Sequence, residues 1–141
     1  MSKEGKYSGL SVLVIDDDRT FVKFLTKLIE IEFGSDAYYA FDPKKGFEIL
    51  GNKDIDLLVL DLEMPVMDGF KMLTNLRNEE KTKDIPVIVC TALSNEMLIK
   101  RLALLNIDSY IIKPANKETY LKKINDSFEK IKSDTVNKND N

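Results

Sequence analysis

Short apolar runs alternate with amphipathic stretches along this chain, and the apolar runs end abruptly on polar residues. Val12-Leu13-Val14-Ile15 runs into Asp16-Asp17-Asp18, and Leu57-Leu58-Val59-Leu60 into Asp61. Val87-Ile88-Val89-Cys90 runs into Thr91, and Tyr110-Ile111-Ile112 into Lys113. Runs of this length, rich in Val, Ile and Leu, predict strands covered on both faces, as in a parallel sheet. A weaker strand is expected from Ala37 to Phe41. Between the strands the spacing changes to that of helices. Asp18 or Thr20 can cap a helix whose apolar positions Phe21, Phe24, Leu25, Leu28 and Ile29 follow the i, i+3, i+4, i+7 rule, and Gly34 stops it. Pro43 suits the first turn of a second helix running to about Leu50, before the Gly51-Asn52 turn. Asp68-Gly69 opens a third helix with Phe70, Leu73 and Leu76 inward, Ser94 can cap a fourth, and a last one carries Leu121, Ile124 and Phe128 towards Ile131.

Strand and helix thus alternate five times, which predicts an α/β fold: a doubly wound, flavodoxin-like (βα)5 parallel sheet with helices on both faces. Right-handed crossovers and the strand order 2-1-3-4-5 bring the ends of the first and third strands side by side. Residues 1–9 read as a polar arm, 10–130 as the domain, and 131–141 as a flexible polar tail. In open sheets of this kind the ligand site lies beyond the carboxyl ends of the strands, where strand order reverses. Asp16, Asp17, Asp61, Thr91 and Lys113 are therefore expected to converge on one edge.

Composition narrows the chemistry available there. The formal net charge of −3, with 21 basic residues dispersed along the chain, gives no electrostatic reason to expect nucleic-acid binding. Zero histidines remove histidine metal sites, serine–histidine triads and any histidine base. The lone Cys90 lies inside an apolar run and reads as a buried thiol of a reducing compartment. The first residues lack a signal-peptide core and no apolar stretch reaches transmembrane length, so a cytoplasmic protein without membrane insertion is expected.

Asp16-Asp17, Asp61-Leu-Glu-Met-Pro-Val-Met-Asp-Gly69, Thr91-Ala92 and Tyr110-Ile-Ile-Lys113-Pro114 occur in an order and spacing that resembles the receiver domains of two-component response regulators, from Ser11 to about Phe128. The resemblance implies that Asp61 accepts a phosphoryl group from a phosphohistidine on a sensor kinase or phosphotransfer protein. It implies Mg²⁺ as cofactor, with Asp17 and Asp61 contacting the metal, Asp16 acting through water and the backbone carbonyl of Glu63 adding a ligand. Lys113 is expected to place its ammonium against Asp61, aimed by a cis bond to Pro114, and Thr91 to donate its hydroxyl to the phosphoryl group. Thr91 and Tyr110 are the expected switch pair, the ring swinging inward as Thr91 moves, although a Tyr110 hydroxyl at the surface describes the other rotamer equally well. Asp18 reads as a cap or a solvated charge. Asn106 stands where the family usually has glycine, and asparagine tolerates that left-handed turn. No enzymatic activity is implied beyond phosphorylation and dephosphorylation of the chain itself.

On the fourth helix Leu98, Leu102 and Leu105 form one stripe and Leu93, Met97 and Leu104 a second. The second stripe marks either a surface for a downstream protein or a phosphorylation-dependent dimer, built on the fourth helix, fifth strand and fifth helix, or incidental exposed side chains. Two other readings stand beside the receiver. Asp16-Asp17-Asp18-Arg19-Thr20 fits the D-x-D-x-T signature of haloacid-dehalogenase-type phosphatases with Asp16 as nucleophile, but that reading leaves Asp61 without a role. A receiver fold used only for interaction would need no lysine facing three carboxylates. Whether the chain is a stand-alone regulator or a receiver cut from a longer one stays open at this point.

Overall fold

A computed structural model describes residues 5–64 and 68–139, with the side chains of 136–139 excepted. The elements follow as β1 (Ser11–Ile15), α1 (Arg19–Phe33), β2 (Asp36–Ala40), α2 (Pro43–Asn52), β3 (Leu57–Leu60), α3 (Gly69–Asn78), β4 (Val87–Thr91), α4 (Glu96–Ala103), β5 (Ser109–Ile112) and α5 (Lys117–Asn139). The strands form one parallel sheet in the order β2-β1-β3-β4-β5, as the alternation predicts.

Alternate side chains of each strand enter two different cores, because successive residues of a strand point to opposite faces. Val12, Val14, Leu57, Val59, Ile88, Cys90 and Ile111 pack beneath α1 and α5, against Leu25, Ile29, Ile124 and Phe128. Leu13, Ile15, Leu58, Leu60, Val87 and Val89 pack on the other face, against Met72, Leu73 and Leu76 of α3 and Leu102 of α4. Local signals set the helix ends. The Asp18 side chain caps α1 by accepting the N–H of Phe21, Gly34 closes it with φ of 68°, and Asp42 and Asp68 cap α2 and α3. Asn95, one residue beyond the expected Ser94, caps α4 by accepting the N–H of Leu98.

Both ends of the chain depart from expectation. In its described part, residues 5–9, the arm is not a polar appendage: Tyr7 is buried against Phe33 and Phe128, and its hydroxyl bonds to Asn125 and Glu129 of α5. The expected tail from residue 131 onwards is helical as far as Asn139. The two departures share a cause. Lys132 donates to the carbonyl of Lys6 at 2.6 Å, and Ile131 packs against the core beneath α1, so arm and helix hold each other where each alone reads as polar. Pro65, Val66 and Met67, expected to shape the loop after β3, lie outside the described residues.

Arg77, near the end of α3, binds carbonyls from two loops. Its Nε donates to Leu105 at 2.8 Å, Nη2 to Asn106 at 3.2 Å, and Nη1 to Ile85 at 2.8 Å and Lys83 at 3.1 Å. Burial lowers its pKa from the ordinary arginine value, although a guanidinium keeps its charge throughout the working range. Asn106, one of the residues it holds, takes the left-handed conformation with φ of 54° that glycine usually occupies.

Burial pushes the Cys90 thiol up to about 12, so almost none of it is thiolate at neutral pH. Iodoacetamide at pH 7.5 is expected to leave the folded protein unmodified and to add one carbamidomethyl group, read by intact mass, only in denaturant.

Candidate functional site

Strand register assembles the site. Ile15 pairs with Leu60, so Asp16 and Asp61 leave adjacent strands at the same level. Thr91 pairs with Ile112, which places Lys113 one step beyond. The ladder continues into the site residues: Asp61 N–H donates to Ile15 O at 3.0 Å, Asp16 N–H to Ala40 O at 3.1 Å and Lys113 N–H to Thr91 O at 2.9 Å. Functional side chains thus project from backbone that the sheet already fixes.

Asp16 and Asp61 are buried, Asp17 is exposed, and one carboxylate oxygen of each lies within 4.8 Å of the others. This is an all-oxygen donor set, suited to a hard cation. Lys113 reaches the cluster from β5. Its Nζ lies 2.5 Å from Asp16 Oδ2 and 3.4 Å from Asp61 Oδ2, so the tighter pair is with Asp16 and not with the expected Asp61. The Lys113–Pro114 bond is cis, as the resemblance implies. Burial raises the Asp16 pKa, more than the hydrogen bonds from Lys113 and from the Asp18 N–H lower it. Burial alone would lower the Lys113 pKa, but its hydrogen bond to Asp16 and the charges of Asp16 and Asp61 outweigh that and raise it.

The remaining residues frame this centre. Glu63 is exposed and its N–H donates to Asp61 Oδ1 at 3.1 Å, so its backbone orients the carboxylate. Thr91 is fully buried and its hydroxyl oxygen accepts the N–H of Leu93 at 3.4 Å. Of the two placements open to Tyr110, the structure shows the one with the hydroxyl buried, where it has no hydrogen-bond partner among the described residues. On α4 the two stripes separate as their spacing predicts: Leu102 is buried, whereas Met97 and Leu104 are 74% and 84% exposed. Ile99 and, on neighbouring β5, Ile112 add to the exposed apolar surface.

Gly69 has a role that a helix-start reading does not contain. A Cβ there would stand 2.2 Å from Asp61 O and 2.7 Å from Leu62 Cα, so the first turn of α3 lies directly on the backbone that carries Asp61. Its own N–H donates to Leu62 O at 2.9 Å. The signal was present as a glycine just inside a helix capped by Asp68, where a helix former is the ordinary choice.

A doubly wound sheet with three carboxylates and a lysine gathered at its carboxyl edge is the arrangement of a receiver domain. The chain belongs to the response regulator receiver domain family, which it matches over residues 12–125. It is similar to chemotaxis protein CheY-3 of Vibrio cholerae, with 29% identity over 123 residues that cover 87% of this chain and 95% of that one. It is also similar to the transcriptional regulatory protein CpxR of Escherichia coli K12, with 39% identity over 106 residues, 74% of this chain but 43% of that protein. The CheY-like receiver domain protein of Methanospirillum hungatei JF-1 shares the fold, with a TM-score of 0.81, 22% identity, and coverage of 89% of this chain and 98% of that one. The haloacid-dehalogenase reading finds no support in these matches.

Two outcomes are expected from this geometry. Gly69→Ala forces α3 and the Asp61 backbone apart and should lower the urea-unfolding free energy by about 1–3 kcal/mol. The raised Asp16 pKa means that the folded state binds that proton more tightly than the unfolded state, so its linkage term makes stability fall as pH rises from about 3.9 through the folded value. Without divalent cation, the stability of the native sequence minus that of Asp16→Asn is therefore expected to decline across that window in urea titrations.

Proposed function

We propose that this receiver accepts a phosphoryl group on Asp61 from a phosphohistidine on a separate kinase or phosphotransfer protein. The observation that carries the reading is the setting of Asp61. It is a carboxylate at the end of β3, with Asp16 and Asp17 within 4.8 Å and the Lys113 ammonium 3.4 Å away. In the transfer an Asp61 oxygen forms the new P–O bond while the P–N bond of the donor breaks, its electron pair passing to the imidazole nitrogen, which takes up a proton. Since these 141 residues contain no histidine, a histidine donor must lie outside them.

Asp16, Asp17 and Asp61 fit a hard divalent ion, and Mg²⁺ is the one we assign, with the Glu63 carbonyl as a further ligand by family resemblance. Bound there, it offsets the repulsion between the carboxylates and the incoming phosphoryl oxygens. Lys113 supplies a fixed positive charge beside Asp61, already desolvated and aimed by the backbone of β5. Thr91 contributes a hydroxyl from the adjacent strand end. The catalysis this reading requires is the gain and loss of the chain's own phosphoryl group.

Output is a population shift of the α4-β5-α5 surface. Phosphoryl oxygens attract the Thr91 hydroxyl, and that movement favours the inward placement in which the Tyr110 hydroxyl is already buried, without a hydrogen-bond partner among the described residues. The exposed apolar side chains of α4 and β5 are the surface for a downstream protein or for a phosphorylation-dependent dimer. The setting is cytoplasmic, consistent with the unpaired Cys90 and with the lack, among the described residues, of a helix long and apolar enough to cross a membrane. Incubation with a small acyl-phosphate donor and Mg²⁺ should add one phosphoryl mass to the intact protein. The adduct should be absent without Mg²⁺ and absent in Asp61→Asn, whereas an adduct that persists in a folded Asp61→Asn protein would overturn the assignment.

A further inference from the structure

Lys113 has a third neighbour besides the two carboxylates. Its Nζ lies 4.2 Å from the centroid of the Phe21 ring, on the first turn of α1. Four contacts close a circuit around the site. Asp16 Oδ1 accepts the Asp18 N–H at 2.9 Å, and Asp18 Oδ1 accepts the Phe21 N–H at 3.1 Å. The Phe21 ring faces the Lys113 ammonium, which returns to Asp16 Oδ2 at 2.5 Å. Asp18, which looks like a plain helix cap, thereby holds the backbone from which the Phe21 ring reaches the lysine. The ring is itself backed by aromatic neighbours: Tyr120 of α5 at 5.7 Å and Phe24 at 6.4 Å between centroids, with Tyr120 and Phe24 edge-on at 5.9 Å.

We propose that Phe21 is a positioning residue for Lys113, its ring holding the ammonium between Asp16 and Asp61 and keeping it in place for the incoming phosphoryl oxygen. The inference rests on the phosphoacceptor reading of Asp61. A lysine carries four flexible side-chain bonds and a strongly hydrated head, so two carboxylates alone leave it free to swing outward. A ring face attracts the cation by its quadrupole and is too apolar to bring water with it. The lysine is accordingly well shielded, with 18% of its side chain exposed. Pre-placing the charge lowers the cost of reaching the transition state, where it matters most. A leucine or methionine at position 21 fills similar space without the quadrupole, whereas a tyrosine retains it.

The test has two readouts on the whole chain. In the native protein, the Lys113 ε-methylene protons should resonate upfield of those of the other lysines, because they lie over the ring. The shift should persist in Phe21→Tyr and vanish in Phe21→Leu and Phe21→Met. Labelling by an acyl-phosphate donor with Mg²⁺ should be roughly three- to tenfold slower in Phe21→Leu and Phe21→Met and close to native in Phe21→Tyr. Phe24→Leu, which alters the same aromatic group without touching Lys113, should label at close to the native rate. An ordinary Lys113 shift in the native protein overturns the proposal even if none of the variants folds. Equal labelling rates in native, Phe21→Leu and Phe21→Met proteins also overturn it. A protein that shows the upfield shift but is never phosphorylated on Asp61 supports the contact, refutes its use in phosphoryl transfer, and removes the parent reading separately.

Discussion

Like charges gathered at the edge of a sheet repel one another, and the carboxyl edge of this sheet depends on how that repulsion is met. Ile15 opposite Leu60 places Asp16 and Asp61 on neighbouring strand ends, and the Asp17 carboxylate joins them within 4.8 Å. One ammonium, that of Lys113, is tied to both buried carboxylates. Among the described residues one cation is paired within this group of three carboxylates, which leaves an excess of negative charge that the burial of Asp16 and Asp61 makes more costly. The edge is therefore unbalanced as it stands, and a divalent ion would bring it near neutrality. What folding leaves unfavourable there is what makes the site receptive.

The two cores make that arrangement possible. Leu13, Ile15, Leu58 and Leu60 alternate with Val12, Val14, Leu57 and Val59, so both faces of the central strands are sealed by helices. Such strands cannot slip by one residue without exchanging every side chain between the cores. The register of the site residues thus follows from the packing of residues that take no part in the chemistry. Gly69 completes the frame from outside the sheet, since only a residue without a Cβ lets α3 lie on the Asp61 carbonyl.

Much of this was readable from the chain. Five helices, five strands, their order, the cis Lys113–Pro114 bond by resemblance, the Asp18 cap and the left-handed Asn106 all depend on local signals or on strand ends. Tyr7 was not readable, because its neighbours in sequence are polar and its burial comes from Phe33 and Phe128, far along the chain. The length of α5 was hidden for the same reason: Lys132 finds its acceptor in the arm. The preference of Lys113 for Asp16, and the ring of Phe21 above it, are matters of fractions of an ångström between distant segments. Spacing carries no information at that scale.

Arg77 has a mechanical consequence. By holding the carbonyls of Leu105 and Asn106, it anchors the chain just past the last turn of α4 to the end of α3. The opposite end of α4 follows the loop that leaves Thr91, and Leu102 is the one side chain of this short helix that is buried. A rod fastened at one end swings as a lever, and displacement grows with distance from the pivot. Were Thr91 displaced as proposed, this anchoring would let Leu93 and Met97 move further than Leu104, which lies beside the anchor. The exposed apolar side chains near α4 would then divide into a part free to shift and a part held by the anchor, and a partner gripping both would feel the difference as shear.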